Sequence, residues 1–165
     1  MIEQGETYAG HIEAQREVEL DRRSALDDRA LGVTKTNSAF LALVFALSVL
    51  VTGEDYLFTG LAALAVVVAL FFFVSAAVLG LVANLMRDYE VTGAETMQAM
   101  LTAHWQDDEV EARNAVATAN LRTIRSLRSG NDEKVRWIKR AVVLQFGAIT
   151  VLVAALAIAL GQIPA

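Results

Sequence analysis

The chain has 165 residues, 55% of them hydrophobic and only 20% charged, with one Pro, no Cys and a net charge of −5; its mean hydropathy is +0.44. A soluble domain is usually about 45–50% apolar and about 25% charged. The excess is concentrated, which excludes an ordinary cytosolic enzyme, a secreted disulfide scaffold and a disordered regulator. Residues 36–53, 56–86 and 141–165 contain no Asp, Glu, Lys or Arg. A helix needs about 20 apolar residues to cross a bilayer core, so the chain is expected to live in a membrane.

In chain order, residues 6–32 lack Pro and are rich in Glu, Arg, Ala, Leu and Gln, which predicts a helix. Ile12, Val18, Leu20, Leu26 and Ala30 form its thin apolar stripe. The first apolar stretch begins after 36 polar and charged residues, too far along for a signal peptide. It predicts span one at about Thr36–Thr52, with Lys35 and Asn37 at the headgroups. Gly53-Glu54-Asp55 is a short acidic turn, followed by Tyr56 as an interfacial aromatic. Span two runs from near Phe58 to about Met86, closed by Arg87 and Asp88. Residues 94–129 contain neither Pro nor Gly and predict helix, with Thr96, Met97, Met100, Leu101, His104 and Trp105 as one amphipathic series. Val110, Ala117, Leu121, Ile124 and Leu127 form the next. Gly130-Asn131 is expected to break that helix, and Asn131 or Asp132 to cap another leading into span three, about Ala141–Ala159. Trp137, Lys139 and Arg140 stand at its entry, and Gly161 and Pro164 follow it.

This reading makes the chain all-α, an integral membrane protein of three transmembrane helices with long cytosolic extensions, expected to form a homo-oligomeric bundle. Its parts are an N-terminal amphipathic helix at 1–35, a transmembrane hairpin at 36–86, a cytosolic helical segment at 87–138, and the third span with a short tail at 139–165. Lys and Arg number five before span one and nine between spans two and three, with none in the outer loop or the tail. The positive-inside rule then places the N-terminus in the cytoplasm and the C-terminus outside.

Several residue groups invite a chemical role. His104 and Asp108 stand four apart on a helix, but a metal centre takes three or four ligands, and only His11 remains elsewhere. Neither a metal nor another cofactor is expected. With two His, no Cys and no phosphate loop or nucleophile motif, no catalytic residue is assigned and the chain is not expected to be an enzyme. The acidic balance gives no nucleic-acid footprint. Arg122, Arg125 and Arg128 recur every three residues beyond the headgroup region and could hold a soluble anion such as a nucleotide phosphate. Lipid contact, or ion pairing with Glu13, Glu17, Glu19 and Asp21, are the competing readings. Ala65, Ala69, Ala76, Gly80 and Asn84 form a small-residue stripe on span two, which predicts close helix packing. Homo-oligomerisation is the preferred use of that stripe, and packing among the chain's own spans the alternative. No span holds a central ionisable residue, which disfavours coupled transport.

The layout resembles the membrane effectors of bacterial Pycsar antiphage systems, and more loosely the SLATT-type small membrane effectors. The resemblance lies in a charged helix entering span one through Lys35-Thr36-Asn37-Ser38-Ala39, and in Leu121 through Lys134-Val135-Arg136 feeding span three. It implies a latent inner-membrane protein, triggered by a cyclic nucleotide, that compromises the membrane and halts phage replication. The expected partners are then the lipid bilayer, further copies of the chain and a cyclic nucleotide. The alternative is a non-catalytic membrane scaffold that docks a cytosolic protein through Met97, Met100, Leu101 and Trp105.

Overall fold

The computed structural model describes residues 2–52, 60–85 and 89–160. They form four helices and, among the described residues, no strand: α1 (Ile2–Thr52), α2 (Gly60–Asn84), α3 (Ala94–Thr102) and α4 (Glu109–Leu160). The expected features at Gly53–Tyr56, Phe58, Met86–Asp88, Gly161 and Pro164 lie outside the described residues. Contacts divide the chain into two units, Met1–Leu26 with Met86–Glu133, and Asp27–Leu85 with Lys134–Ala165. Both α1 and α4 contribute to each.

α1 has 51 residues and α4 has 52. A bilayer core of about 30 Å takes fewer than half of either. Two helices, Gly60–Asn84 and Glu109–Ala159, are long and apolar enough to cross a membrane. The first apolar stretch forms the last part of α1, continuous with the N-terminal helix.

In the first unit α1 and α4 run parallel. Arg113 lies over Gly5, Gln15 binds Arg128, and Arg22 binds Asp132, in ascending order along both helices. Burial on α4 falls at Asn120, Ile124, Leu127 and Asn131, alternating steps of four and three. That is the seam of a coiled coil. The hydropathic stripes read from sequence are rotated off it: Val18, Leu20, Val110 and Leu121 are exposed, while Leu26, Ile124 and Leu127 are buried. Those stripes maximised apolar content, whereas the seam takes Glu19 and two Asn residues into its repeat.

Two sequence expectations need correction. Gly130-Asn131 does not break the helix, for α4 is continuous through it. An interior Gly costs about 1 kcal/mol, and here it makes room: a Cβ at Gly130 would lie 2.7 Å from the Tyr89 ring. The Asn131 side chain turns into the seam instead of capping. Conversely, residues 94–129 are not one helix. Asp108 starts α4 by accepting the Glu111 amide at 2.8 Å, and Glu109 and Glu111 favour a helix N-terminus at that point. Asn37, expected beside Lys35 at the start of span one, faces the interior of the bundle. It is 0% exposed, and its Nδ2 donates to the Val33 carbonyl at 2.8 Å.

In the second unit α2 runs antiparallel to α1. Phe40 stacks on Phe73 with centroids 5.2 Å apart, and Gly80 faces Ala30 and Thr34. Phe72 packs on Gly147 of α4, as far along α4 from Lys134 as Phe40 is along α1 from Asp27. Lys134 and Asp27 form an ion pair, so α1 and α4 run parallel here too. The interior is narrow. Ala62, Ala69, Ala76 and Ala83 of α2 and Ala141, Ala148 and Ala155 of α4 are buried at seven-residue intervals, joined by Phe73 and Gly80. Small side chains let the backbones approach closely.

Candidate functional site

The three arginines singled out from sequence are not brought to one place. A three-residue step turns a helix 60° short of a full circle, so Arg122 and Arg128 point about 120° apart. Arg128 reaches the α1–α4 seam. Its Nε donates to Glu19 Oε1 at 2.9 Å and its Nη2 to Gln15 at 3.2 Å. This is the ion pairing with the first helix that charge spacing left open. Asn131, fully buried, donates to the backbone oxygen and to Oε2 of Glu19 at 3.0 and 3.1 Å. Arg22 bridges Glu19 and Asp132, and Arg23 lies 4.2 Å above the Tyr89 ring. Burial pushes the Glu19 carboxyl up. Hydrogen bonds from Arg128 and Asn131, with the charges of Arg22 and Arg128, more than offset that and hold it below its ordinary value. The cluster joins the two helices, although the buried Asn131 Oδ1 accepts no hydrogen bond.

Arg122 stands on the opposite face of α4. There α3 folds back along α4 and leaves a groove of about 760 Å³, lined by Thr96, Met100, His104, Trp105, Asp107, Asn114, Thr118 and Arg122 among others. Small-molecule pockets fall in a range of about 300–1,000 Å³. A smaller depression of about 110 Å³, between Glu90–Gly93 and Thr123, also has Arg122 in its wall. The guanidinium thus serves both hollows, and no side chain among the described residues pairs with it. Arg125 is exposed and lines neither hollow.

This groove has the chemistry to hold a small anion. A guanidinium can meet a phosphate with two parallel hydrogen bonds, while the Thr96, Thr118 and Asn114 side chains offer neutral donors. Trp105, 74% exposed, presents a flat apolar surface at the other end. His104 Nδ1 lies 3.0 Å from Asp107 Oδ2. Asp108, expected to share a face with His104, caps α4 instead. Among the described residues no three His, Asp or Glu side chains converge as metal ligands would.

Of the stripe Ala65, Ala69, Ala76, Gly80 and Asn84, the three central residues are buried in the chain's own bundle; Ala65 is half-buried and Asn84 exposed. The groove itself was not legible in the sequence, because the turn at 103–108 that creates it lies inside a stretch without Pro or Gly. Its one signal was the run of acids at Asp107–Glu111, which reads equally as a solvated face. No known family, curated protein or solved structure matches the chain.

Proposed function

We propose that the chain is a small membrane effector whose apolar helix segments cross the bilayer three times and whose first unit receives a cytosolic signal. The observation that carries the reading is the inverted polarity of the second unit. Its interior is mostly Ala, with Gly80, Val44 and Phe73 the other apolar members, while Phe71, Val143 and Phe146 stand 67%, 69% and 66% exposed on its outside. An apolar exterior on this scale suits lipid. The surplus of Lys and Arg before span one and between spans two and three supports a cytoplasmic side for both, with the C-terminus outside; a bacterial inner membrane is the setting that the resemblance suggests. The signal is a small anion in the α3–α4 groove, held by Arg122; the resemblance to Pycsar effectors suggests a cyclic nucleotide, and antiphage defence as the setting. Copies of the chain then assemble through their outward faces and open or disrupt the membrane.

The test uses the full chain reconstituted in dye-loaded vesicles and challenged with a panel of 3′,5′-cyclic mononucleotides. One member should release dye, and Arg122→Ala should abolish release without changing helicity. Intact vesicles with every member, together with a monomer on crosslinking, would refute the effector reading. The second reading, a scaffold, is favoured by the exposed Met97, Leu101 and Trp105 at four-residue spacing. Crosslinking in cells that reaches a second protein through α3, with no self-contact, would favour it.

A further inference from the structure

The second unit carries its charge at one end. Among its described residues are six cations, Arg29, Lys35, Lys134, Arg136, Lys139 and Arg140, and two acids, Asp27 and Asp28. All lie in the first third of the unit's α1 segment or of its α4 segment. Because those segments run parallel, the cations share one end. Lys134 is buried against Asp27, which removes one charge of each sign from the surface. Arg136, Lys139 and Arg140 are exposed, within about 6 Å of helix axis.

Their direction is the informative part. At 100° per residue, Arg136, Lys139 and Arg140 share a face with Val143, Phe146 and Thr150, all exposed. Along one stripe of α4 the outward surface therefore changes from three cations to bare apolar side chains within a single turn. Arg140 lies 4.9 Å over the Trp137 ring, which fixes one guanidinium at that level beside an interfacial aromatic. On α1 the same change occurs, from exposed Lys35 to exposed Ala39, Ala42 and Leu43. Cations that touch no carboxylate among the described residues and adjoin an apolar stripe match a phospholipid in both halves, a negative headgroup and acyl chains.

We propose that Arg136, Lys139 and Arg140 form a binding site for the headgroup of an anionic phospholipid whose acyl chains lie along Val143 and Phe146. The inference rests on the membrane reading above, but adds a preference for lipid charge that the reading does not require. Headgroup phosphate and free phosphate offer the same oxygens, and the apolar continuation commits the site to the lipid.

The test is native mass spectrometry of the full chain released from nanodiscs of phosphatidylglycerol or phosphatidylcholine. The wild type should retain phosphatidylglycerol preferentially. Arg136→Gln with Lys139→Gln and Arg140→Gln should cut that preference on the order of 100-fold, from the loss of three near-surface cations. Arg136→Lys with Arg140→Lys keeps the charge and should keep the preference within about 3-fold. Equal retention of both lipids, an undiminished preference in the triple variant, or an equal loss in the lysine variant would each overturn the proposal. So would release of the bound lipid by millimolar inorganic phosphate alone. Failure of the chain to enter either nanodisc would instead refute the membrane reading itself.

Discussion

Gly80 offers the sharpest check on the close packing of α1 and α2. A Cβ added there would stand 2.5 Å from Thr34 Oγ1 and 3.2 Å from the Ala30 carbonyl oxygen. The Thr34 hydroxyl cannot swing aside freely, since it donates to that same carbonyl at 3.1 Å. Relieving the contact requires about 1 Å of movement, by a strained rotamer costing about 0.5–1.5 kcal/mol or by surrender of a hydrogen bond worth about 1 kcal/mol. Replacing Gly by Ala returns up to about 1 kcal/mol of helix propensity. Overpacking of this kind typically costs about 1–3 kcal/mol, so Gly80→Ala should destabilise by up to about 2 kcal/mol net of that propensity. In a Thr34→Ala background the nearest atom is gone, and the same change should be neutral or stabilising. Gly32→Ala, which meets nothing within 4 Å, is the control and should stabilise slightly. Unfolding of the four variants in mixed micelles, followed by far-ultraviolet circular dichroism, reads the double-mutant cycle. Equal or greater stability of Gly80→Ala in the wild-type background, or the same penalty with and without Thr34, would refute the packing argument.

Two further outcomes concern the first unit. Glu19 has its carboxyl below the ordinary 4.5, so its contribution is complete at neutral pH and is lost as pH falls below 4.5 through the folded value. Hydrogen exchange across residues 12–26 and 120–131, taken relative to the intrinsic amide rate at each pH, should therefore rise on acidification. In Glu19→Gln it should be faster at pH 7, by a stability loss of about 1–3 kcal/mol, and lose that acid dependence. Asp108→Ala removes the cap of α4 and should cost about 1 kcal/mol, read as roughly five-fold faster exchange of the Glu111 and Ala112 amides; unchanged rates there would contradict the capping role.

The apolar stretches were legible because exclusion of charge is a one-dimensional property, and two of them fall on helices long and apolar enough to span a bilayer. Inside from outside was less legible. Hydropathy assigns Asn37 and Glu19 to water, yet each is buried and lies one heptad from a buried apolar residue, Asn37 from Ala30 and Val44 and Glu19 from Leu26. Reading that period without regard to polarity would have placed both on the seam. The helix break at 103–108 and the continuity at Gly130 turned on Asp108 capping and on the Tyr89 ring, which are tertiary facts. For the arginines, a spacing of three suggested one shared site, and it did not show which of them would meet Glu19.

The alanines of the second unit have a consequence for specificity. On both α2 and α4 they recur every seventh residue, so sliding one helix by a heptad, about 10.5 Å, would set alanine against alanine again. Such layers hold helices close while remaining indifferent among several alignments. Choice among them falls to side chains that occur once: the Phe40–Phe73 stack, the notch at Gly80 under Thr34, and Asn37, whose buried Oδ1 has no partner. Adhesion is thus spread along the whole bundle, whereas its alignment is decided at three points, and a change at any one of them acts on where the helices stop rather than on whether they meet.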